Sequence, residues 1–242
     1  MDLFGDLADR YDLLRSDNPP YLSILLCLIR RFNNKLILDL GCGTGNISEK
    51  ILKEADVNII GLDLSASMLG KFNAKRTRAS LICASAENIP LTDSSVDGIM
   101  CIYLIHLLKE PKRALKSMKR MLNKGWILIV SAPHHFIKKH PLNVFFPSFR
   151  DIDLSRFPSE EEIVNWLADA GFSSIETQYC AVFRKWYSQE YLEKTKSRFI
   201  STLKLLPEEE FKTGLKKMEK YIENEKEFLP SPWESFVIIG YV

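Results

Sequence analysis

The chain is short of several things, and each shortage narrows what it can be. No apolar run approaches the roughly 20 residues that a membrane-spanning helix needs. The most apolar stretch, Tyr21 to Ile29, falls far below that. An excess of one charge is also missing. Basic residues number 33 against 31 acidic, a net of +2, too little to create a strong field for nucleic acid or a membrane surface. The five cysteines include no C-x-x-C pair, which speaks for reduced thiols and against a redox or zinc-ribbon motif. Cys27, Cys42, Cys83 and Cys101 sit among apolar neighbours and read as small core residues. The start, Met1-Asp2-Leu3-Phe4-Gly5-Asp6, has acids where a secretory leader has a basic region. These shortages lead to the expectation of a soluble, cytoplasmic protein, a monomer or homodimer, with no membrane or nucleic-acid partner. Histidine is scarce as well. His134 and His135 are adjacent and so point apart, and neither they nor His140 find a Cys or carboxylate at a familiar spacing, so no metal is expected.

What remains is ordinary for a globular chain: 242 residues, 46% hydrophobic and 26% charged, the size of one α/β domain with an insertion. Its organising stretch is Lys35 to Ile47. Leu36, Ile37, Leu38 and Leu40 form the apolar run of a strand buried on both faces. Gly41, Gly43 and Gly45 then turn the chain, and Asn46 opens a helical pattern. Glycines suit a place where a ligand approaches bare backbone. The spacing is G-x-G-x-G, led by Asp39. A dinucleotide loop would place its third glycine at Asn46, so NAD is not expected. A second buried strand, Ile59 to Asp63, ends in an acid at the distance where a ribose-binding carboxylate is found.

The segment Leu38-Asp-Leu-Gly-Cys-Gly-Thr-Gly45, followed by Asp63, resembles the first motifs of the class I S-adenosylmethionine-dependent methyltransferases, in their ubiquinone-biosynthesis-like, small-molecule branch. Further stretches carry the likeness in order. Ala84-Ser-Ala-Glu-Asn-Ile-Pro-Leu91 is similar to the family's adenine-flanking stretch, with Ser85 where an Asp is usual. Tyr103-Leu-Ile-His-Leu-Leu-Lys-Glu-Pro111 resembles the turn after the fourth strand. Phe4 to Tyr11 resembles the N-terminal lid. The resemblance covers about Phe4 to Phe172 and implies a doubly wound, seven-stranded, mostly parallel sheet with the last strand antiparallel. It implies S-adenosyl-L-methionine as cofactor and a small-molecule methyl acceptor. Asp39 and the Gly41, Cys42, Gly43 and Gly45 backbone would hold the methionine end, with Tyr11 closing over it. Asp63 would hold the ribose, and Ser85 with Ala86 the adenine. Leu64 and Met68 complete the set, and backbone near Cys101 closes the far side.

The other elements are read from periodicity. Strands are expected at Leu81–Cys83, Val96–Ile102, Trp126–Val130, Ser174–Phe183 and Glu234–Val242. Asn18-Pro19-Pro20-Tyr21 precedes the first strand and reads as an inter-helix turn. Ser65 caps one helix. Ser159 with Glu162 forms a capping box for another, whose face runs through Ile163, Trp166, Leu167 and Ala170 to Gly171. Residues 133–158 are rich in Phe, Pro and His without a clean period. Tyr191, Thr195, Phe199, Leu203 and Leu206 form one helical stripe, and Phe211, Leu215, Met218 and Ile222 another. The domain is expected to span 1–242, with 1–34 as a helical lid and 184–233 as a helical insertion over the substrate side. Phe146, Trp186, Tyr187 and Tyr191 would then suit an apolar or aromatic acceptor. His106, after the fourth strand, is the first candidate general base and His135 the second. Two alternatives stay open. One is an RNA-modifying enzyme using the basic helices around Lys71 to Arg78 and Lys112 to Arg120, and the other is a non-catalytic cofactor-binding subunit.

Overall fold

β1 (Leu36–Leu40) is buried on both faces, as its unbroken apolar sequence demands: Ile37 meets one layer of helices, Leu38 and Leu40 the other. The computed structural model describes residues 8–9, 11–14, 19–184, 189–224 and 231–242. Around β1 it assembles β2 (Asn58–Asp63), β3 (Ser80–Cys83), β4 (Val96–Ile102), β5 (Leu122–Ser131), β6 (Ser174–Arg184) and β7 (Ser231–Tyr241). The seven-stranded sheet has the order β3-β2-β1-β4-β5-β7-β6. All pairings from β3 to β5 are parallel, and β7 runs antiparallel between β5 and β6. The chain therefore winds outward from β1 and later returns to its other side at β4. The carboxyl ends of β1 and β4 form the switch point at which open α/β sheets bind ligands.

A short α1 (Tyr11–Leu14) precedes α2 (Tyr21–Phe32), which packs with α3 (Asn46–Glu54) on one face of the sheet. There Leu25, Leu28, Ile29 and Ile51 meet Ile37, Met100, Trp126 and Leu128. On the other face α5 (Pro111–Met121) and α8 (Glu160–Asp169) bring Leu115, Met118, Ile163 and Leu167 onto Leu38, Ile99, Ile127 and Ile129. The strand residues alternate between the two lists, as period-2 geometry requires. α4 (Ala66–Ala74) lies beneath the glycine turn. The Ser65 hydroxyl accepts from the Met68 amide at 3.3 Å as its cap, and Phe72 is fully buried. The capping box of α8 forms as its sequence indicates. Pro20 stands as the N-cap of α2, so Pro19 and Pro20 make a helix entry; Asn18 lies outside the described residues.

A third apolar cluster has no strand at its centre. It joins α6 (His134–Lys139) and α7 (Pro147–Arg156) to α9 (Gln189–Lys196), α10 (Ser201–Leu205) and α11 (Glu208–Asn224) through Phe136, Phe146, Phe149, Tyr191, Phe199, Leu203, Phe211 and Met218. Glu210 of α11 fixes α7 by accepting from the Ser148 amide at 2.8 Å and its hydroxyl at 2.7 Å, capping orphan donors of the first turn.

Several expectations need correction. The stripe from Tyr191 to Leu206 is two helices. The chain turns at Arg198, whose φ is +52°, and Ile200 is extended. The break lets Phe199 stand edge-on to Tyr191 and sets the Arg198 guanidinium 3.8 Å from the Phe211 ring centroid, packing that one straight helix would not reach. Ala170 is the C-cap of α8 and still packs against the core with Trp166. Cys27 and Cys83 are exposed, while Cys42 and Cys101 are buried. Phe4, Trp186 and Tyr187 lie outside the described residues. In the basic stretches, Lys71, Lys75, Arg78, Arg113 and Arg120 pair with Asp9, Asp12, Asp56, Glu110 and Asp93. Among the described residues no helix is long and apolar enough to cross a membrane.

The amino-terminal edge of the sheet is tied by one polar network. Asp97 Oδ2 accepts from the Lys35 and Leu36 amides at 2.7 and 2.9 Å, at the start of β1. The buried Asn34 takes the Trp126 indole proton at 2.9 Å and donates to the Asp97 carbonyl. Replacing Asp97 by Ala strands two strand-end donors. It should lower unfolding stability by about 1–3 kcal/mol in urea denaturation, with no change in the cleft at the opposite edge. Asp97→Asn should lose distinctly less.

Candidate functional site

Two adjoining clefts open at the carboxyl ends of β1, β2 and β4, one of about 390 Å³ and one of about 160 Å³. Both touch Tyr11, Gly41, Gly43, Tyr103 and Trp233. Their shared wall is built by the glycine turn. Gly41 and Cys42 donate to the Leu62 carbonyl at 2.7 and 3.1 Å, and Gly43 donates to Asp63 Oδ2 at 2.8 Å. Asp63 Oδ1 accepts from the Ser65 amide at 2.8 Å, so the carboxylate holds the end of β2 against the turn after β1. Gly43 has φ +54°, and a Cβ there would meet no atom within 4 Å, because it would project into open cleft. Gly45 is bare for another reason: a Cβ would fall 2.2 Å from the Phe72 ring.

Asp39 lines the smaller cleft and is buried, with Ser48 donating to its Oδ2 at 2.6 Å. Burial pushes its carboxyl up to about 7; the Ser48 bond opposes this and the nearby Asp63 charge adds to it. No basic side chain among the described residues offsets the burial. Leu64, Met68, Ser85 and Ala86 line the larger cleft beyond Asp63. The Ser85 hydroxyl accepts from the Glu87 amide at 3.2 Å, and Glu87 in turn accepts from the Lys109 and Glu110 amides, tying this loop to the start of α5.

Most residues selected from the sequence thus come together. Tyr11, Gly41, Gly43, Asp63, Leu64, Met68, Ser85, Ala86 and His106 line the larger cleft, and Asp39 and Cys42 the smaller. Three do not. Gly45 shapes the turn from behind. The Cys101 side chain is fully buried in the core beneath α5, and Ile102 and Tyr103 line the cleft in its place. His135 points away: its side chain is 55% exposed and its Nε2 lies 2.5 Å from Glu234.

The far end of the larger cleft is aromatic, lined by Tyr103, Phe136, Phe149, Phe157, Ile200 and Trp233. Tyr103 leaves β4 at φ +50°, costly for a non-glycine residue, and is held there by hydrogen bonds to Ser235 at 2.6 Å and from the Trp233 indole at 2.9 Å. His106 lies flat on Phe157, ring centroids 3.8 Å apart. His140 is stacked on Phe149, and burial pulls it down to about 3, so it stays neutral, its Nδ1 accepting from the Leu142 amide at 3.2 Å. Asp153 and Ser201 also reach this end. The sequence reading missed Tyr103, His140, Asp153, Ser201 and Trp233 as site residues. One signal was available, since Phe149, Asp153 and Arg156 share a face at helical spacing.

The donor set fits S-adenosylmethionine. A buried carboxylate without a cationic neighbour among the described residues suits the ammonium of the methionine end, and the open space at Gly43 admits a ligand against bare backbone. In the ligand-free protein Asp39 should make stability depend on pH. Below about pH 4 the carboxyl is protonated folded or unfolded and costs nothing. As pH rises from there through 7 the unfolded chain loses the proton first, and the folded state weakens by a few kcal/mol at most. Asp39→Asn should therefore raise the melting temperature at pH 8 and leave it nearly unchanged at pH 4, as read by thermal denaturation.

Residues 38–130, which hold the glycine turn, Asp63 and β4, match the family described as "Methyltransferase domain". Demethylmenaquinone methyltransferase of Renibacterium salmoninarum is 23% identical over 198 residues, covering 72% of this chain and 83% of that protein. A protein of Anabaena variabilis ATCC 29413, described as a methyltransferase of an antibiotic biosynthesis pathway, shares the fold with a TM-score of 0.73 at 20% identity, over 89% of this chain and 96% of its own. A Haemonchus contortus phosphoethanolamine N-methyltransferase solved with S-adenosylhomocysteine shares it with a TM-score of 0.59 at 16% identity, over 98% of this chain and 57% of its own. With the G-x-G-x-G turn, the Asp63 carboxylate and the sheet order in place, residues 38–130 are a methyltransferase domain, and the chain is an S-adenosylmethionine-dependent methyltransferase of small molecules.

Proposed function

We propose that the methyl acceptor is an apolar, ring-bearing small molecule held at the aromatic end of the larger cleft. The observation that carries this is the wall of Phe136, Phe149, Phe157, Ile200 and Trp233, continuous with the glycine turn and Asp63. A neutral His140 adds a flat surface without a charge. The name of the Renibacterium relative specifies demethylmenaquinone, an apolar ring compound, and supports the same class here.

When bound, the cofactor supplies an already activated sulfonium methyl, so the protein's task is alignment and exclusion of water. Asp39 and the Gly41–Gly43 backbone hold the methionine end, Asp63 the ribose hydroxyls, and Ser85 with Ala86 the adenine. Tyr103 and Trp233 stand between that half and the acceptor half. α6 and α7, from residues 133–158, cover the acceptor together with α10, which gives the insertion at 184–233 its substrate-side role. His106, stacked on Phe157 in the wall of the cleft, is the candidate base for an acceptor that must lose a proton. The composition and free thiols favour a cytoplasmic enzyme.

The acceptor class is tested by incubating the protein with methyl-labelled S-adenosylmethionine and a cell extract split into organic-soluble, polar and RNA fractions. Label should enter the organic-soluble fraction. Label confined to the polar or RNA fraction would contradict the reading. With that acceptor in hand, His106→Ala should reduce turnover by more than about tenfold across pH 6–9, the lower range for loss of a general base. A smaller loss would leave catalysis to alignment alone.

A further inference from the structure

The aromatic end of the cleft is not uniformly apolar. Its lining includes the buried Asp153 and Ser201, which belong to different elements, α7 and α10, and are brought together by packing of the cover. The Thr202 hydroxyl donates to Asp153 Oδ1, and the Arg156 Nη1 lies 3.9 Å from the same oxygen. The second oxygen, Oδ2, takes no hydrogen bond from the described residues. Ser201 accepts from Arg156 Nη2 at 2.9 Å, and its own proton reaches no acceptor among the described residues. Arg156 thus balances the carboxylate charge from behind and polarises the serine, while its buried Nη1 has no hydrogen-bond partner of its own.

Left with only apolar surroundings, this arrangement would be costly. Both residues are buried and meet solvent space only at the cleft, so the carboxylate oxygen without a protein donor and the hydroxyl without a protein acceptor are left for what the cleft holds. The pair is complementary to one kind of group. A hydroxyl can give its proton to Asp153 Oδ2 and receive one from Ser201 Oγ, satisfying both protein atoms and itself. An ether or carbonyl offers no proton to Asp153, and a carboxylate would face it as a like charge.

We propose that Asp153 and Ser201 form a hydroxyl-recognition subsite, so that the acceptor is an apolar ring carrying a hydroxyl group. This rests on the apolar-acceptor reading above and adds the polar anchor that orients the ring. Phe136, Phe149 and Phe157 supply the apolar wall for the ring, and the Asp153–Ser201 pair fixes the ring's orientation against that wall. The subsite discriminates between ring compounds of the same size: burying a hydroxyl with no partner penalises a ligand, and a paired one rewards it.

The test is calorimetric and needs no turnover. The full chain, saturated with S-adenosylhomocysteine, is titrated with 1-naphthol and with naphthalene, which differ only by the hydroxyl. The wild type should bind 1-naphthol at least about tenfold more tightly, the scale of a hydrogen bond to a charged group. In Asp153→Asn, which keeps an acceptor for Thr202, the preference should fall below about threefold. Ser201→Ala should reduce it by a smaller factor, and serves alone if the Asp153 variant does not fold. Equal binding of the two compounds to the wild type, or an undiminished preference in the folded variants, overturns the hydroxyl subsite and leaves the apolar-acceptor reading standing. Binding of neither compound overturns both.

Discussion

The bond from the Gly43 amide to the Asp63 carboxylate, 2.8 Å long, is the constraint on which the rest depends. It fastens the turn after β1 to the end of β2. With the Gly41 and Cys42 amides on the Leu62 carbonyl, it fixes where the backbone is bare and where the acid stands. One Asp63 oxygen receives the Gly43 amide proton and the other the Ser65 amide proton, which fixes the plane of the carboxylate at the cleft. The interaction that closes the turn thereby also presents the acid to a ligand. Phe72 supports it from below, filling the space that Gly45 leaves.

The two halves of the cleft have different origins. The half beside Asp63 comes from the ends of β1, β2 and β3, rigid elements whose positions follow from sheet register. The other half comes from helices inserted after β5 and β6, packed on one another through their own cluster and latched by Glu210 on Ser148. Tyr103 joins the halves. It ends β4 in a strained conformation and reaches Ser235 and Trp233 at the start of β7. A scaffold of this kind can keep its cofactor chemistry while the acceptor end is rebuilt by changing helices that carry no strand.

The parts of the molecule governed by local rules could be read from the sequence. Buried strands announce themselves as apolar runs, and the glycine turn, the Ser65 cap and the Ser159–Glu162 box depend on residues within a few positions of one another. The acceptor half depends on contacts between distant segments. Asp153 meets Thr202 and Arg156 meets Ser201 across 45 residues or more, and no local pattern encodes that. The split between α9 and α10 was hidden likewise, because the stripe from Tyr191 to Leu206 satisfies a helical period and only the burial of Phe199 against Tyr191 explains the break. His135 shows the cost of assigning a side chain by position after a strand, since it turns outward to Glu234.

The most direct measurement is a crystal structure of the protein with S-adenosylhomocysteine. The account predicts the homocysteine part against Asp39 and the Gly41–Gly43 backbone, both ribose hydroxyls on Asp63, and the sulfur facing the Tyr103–His106 end of the cleft. Density placing the ribose away from Asp63, or the sulfur turned from Tyr103, would contradict it.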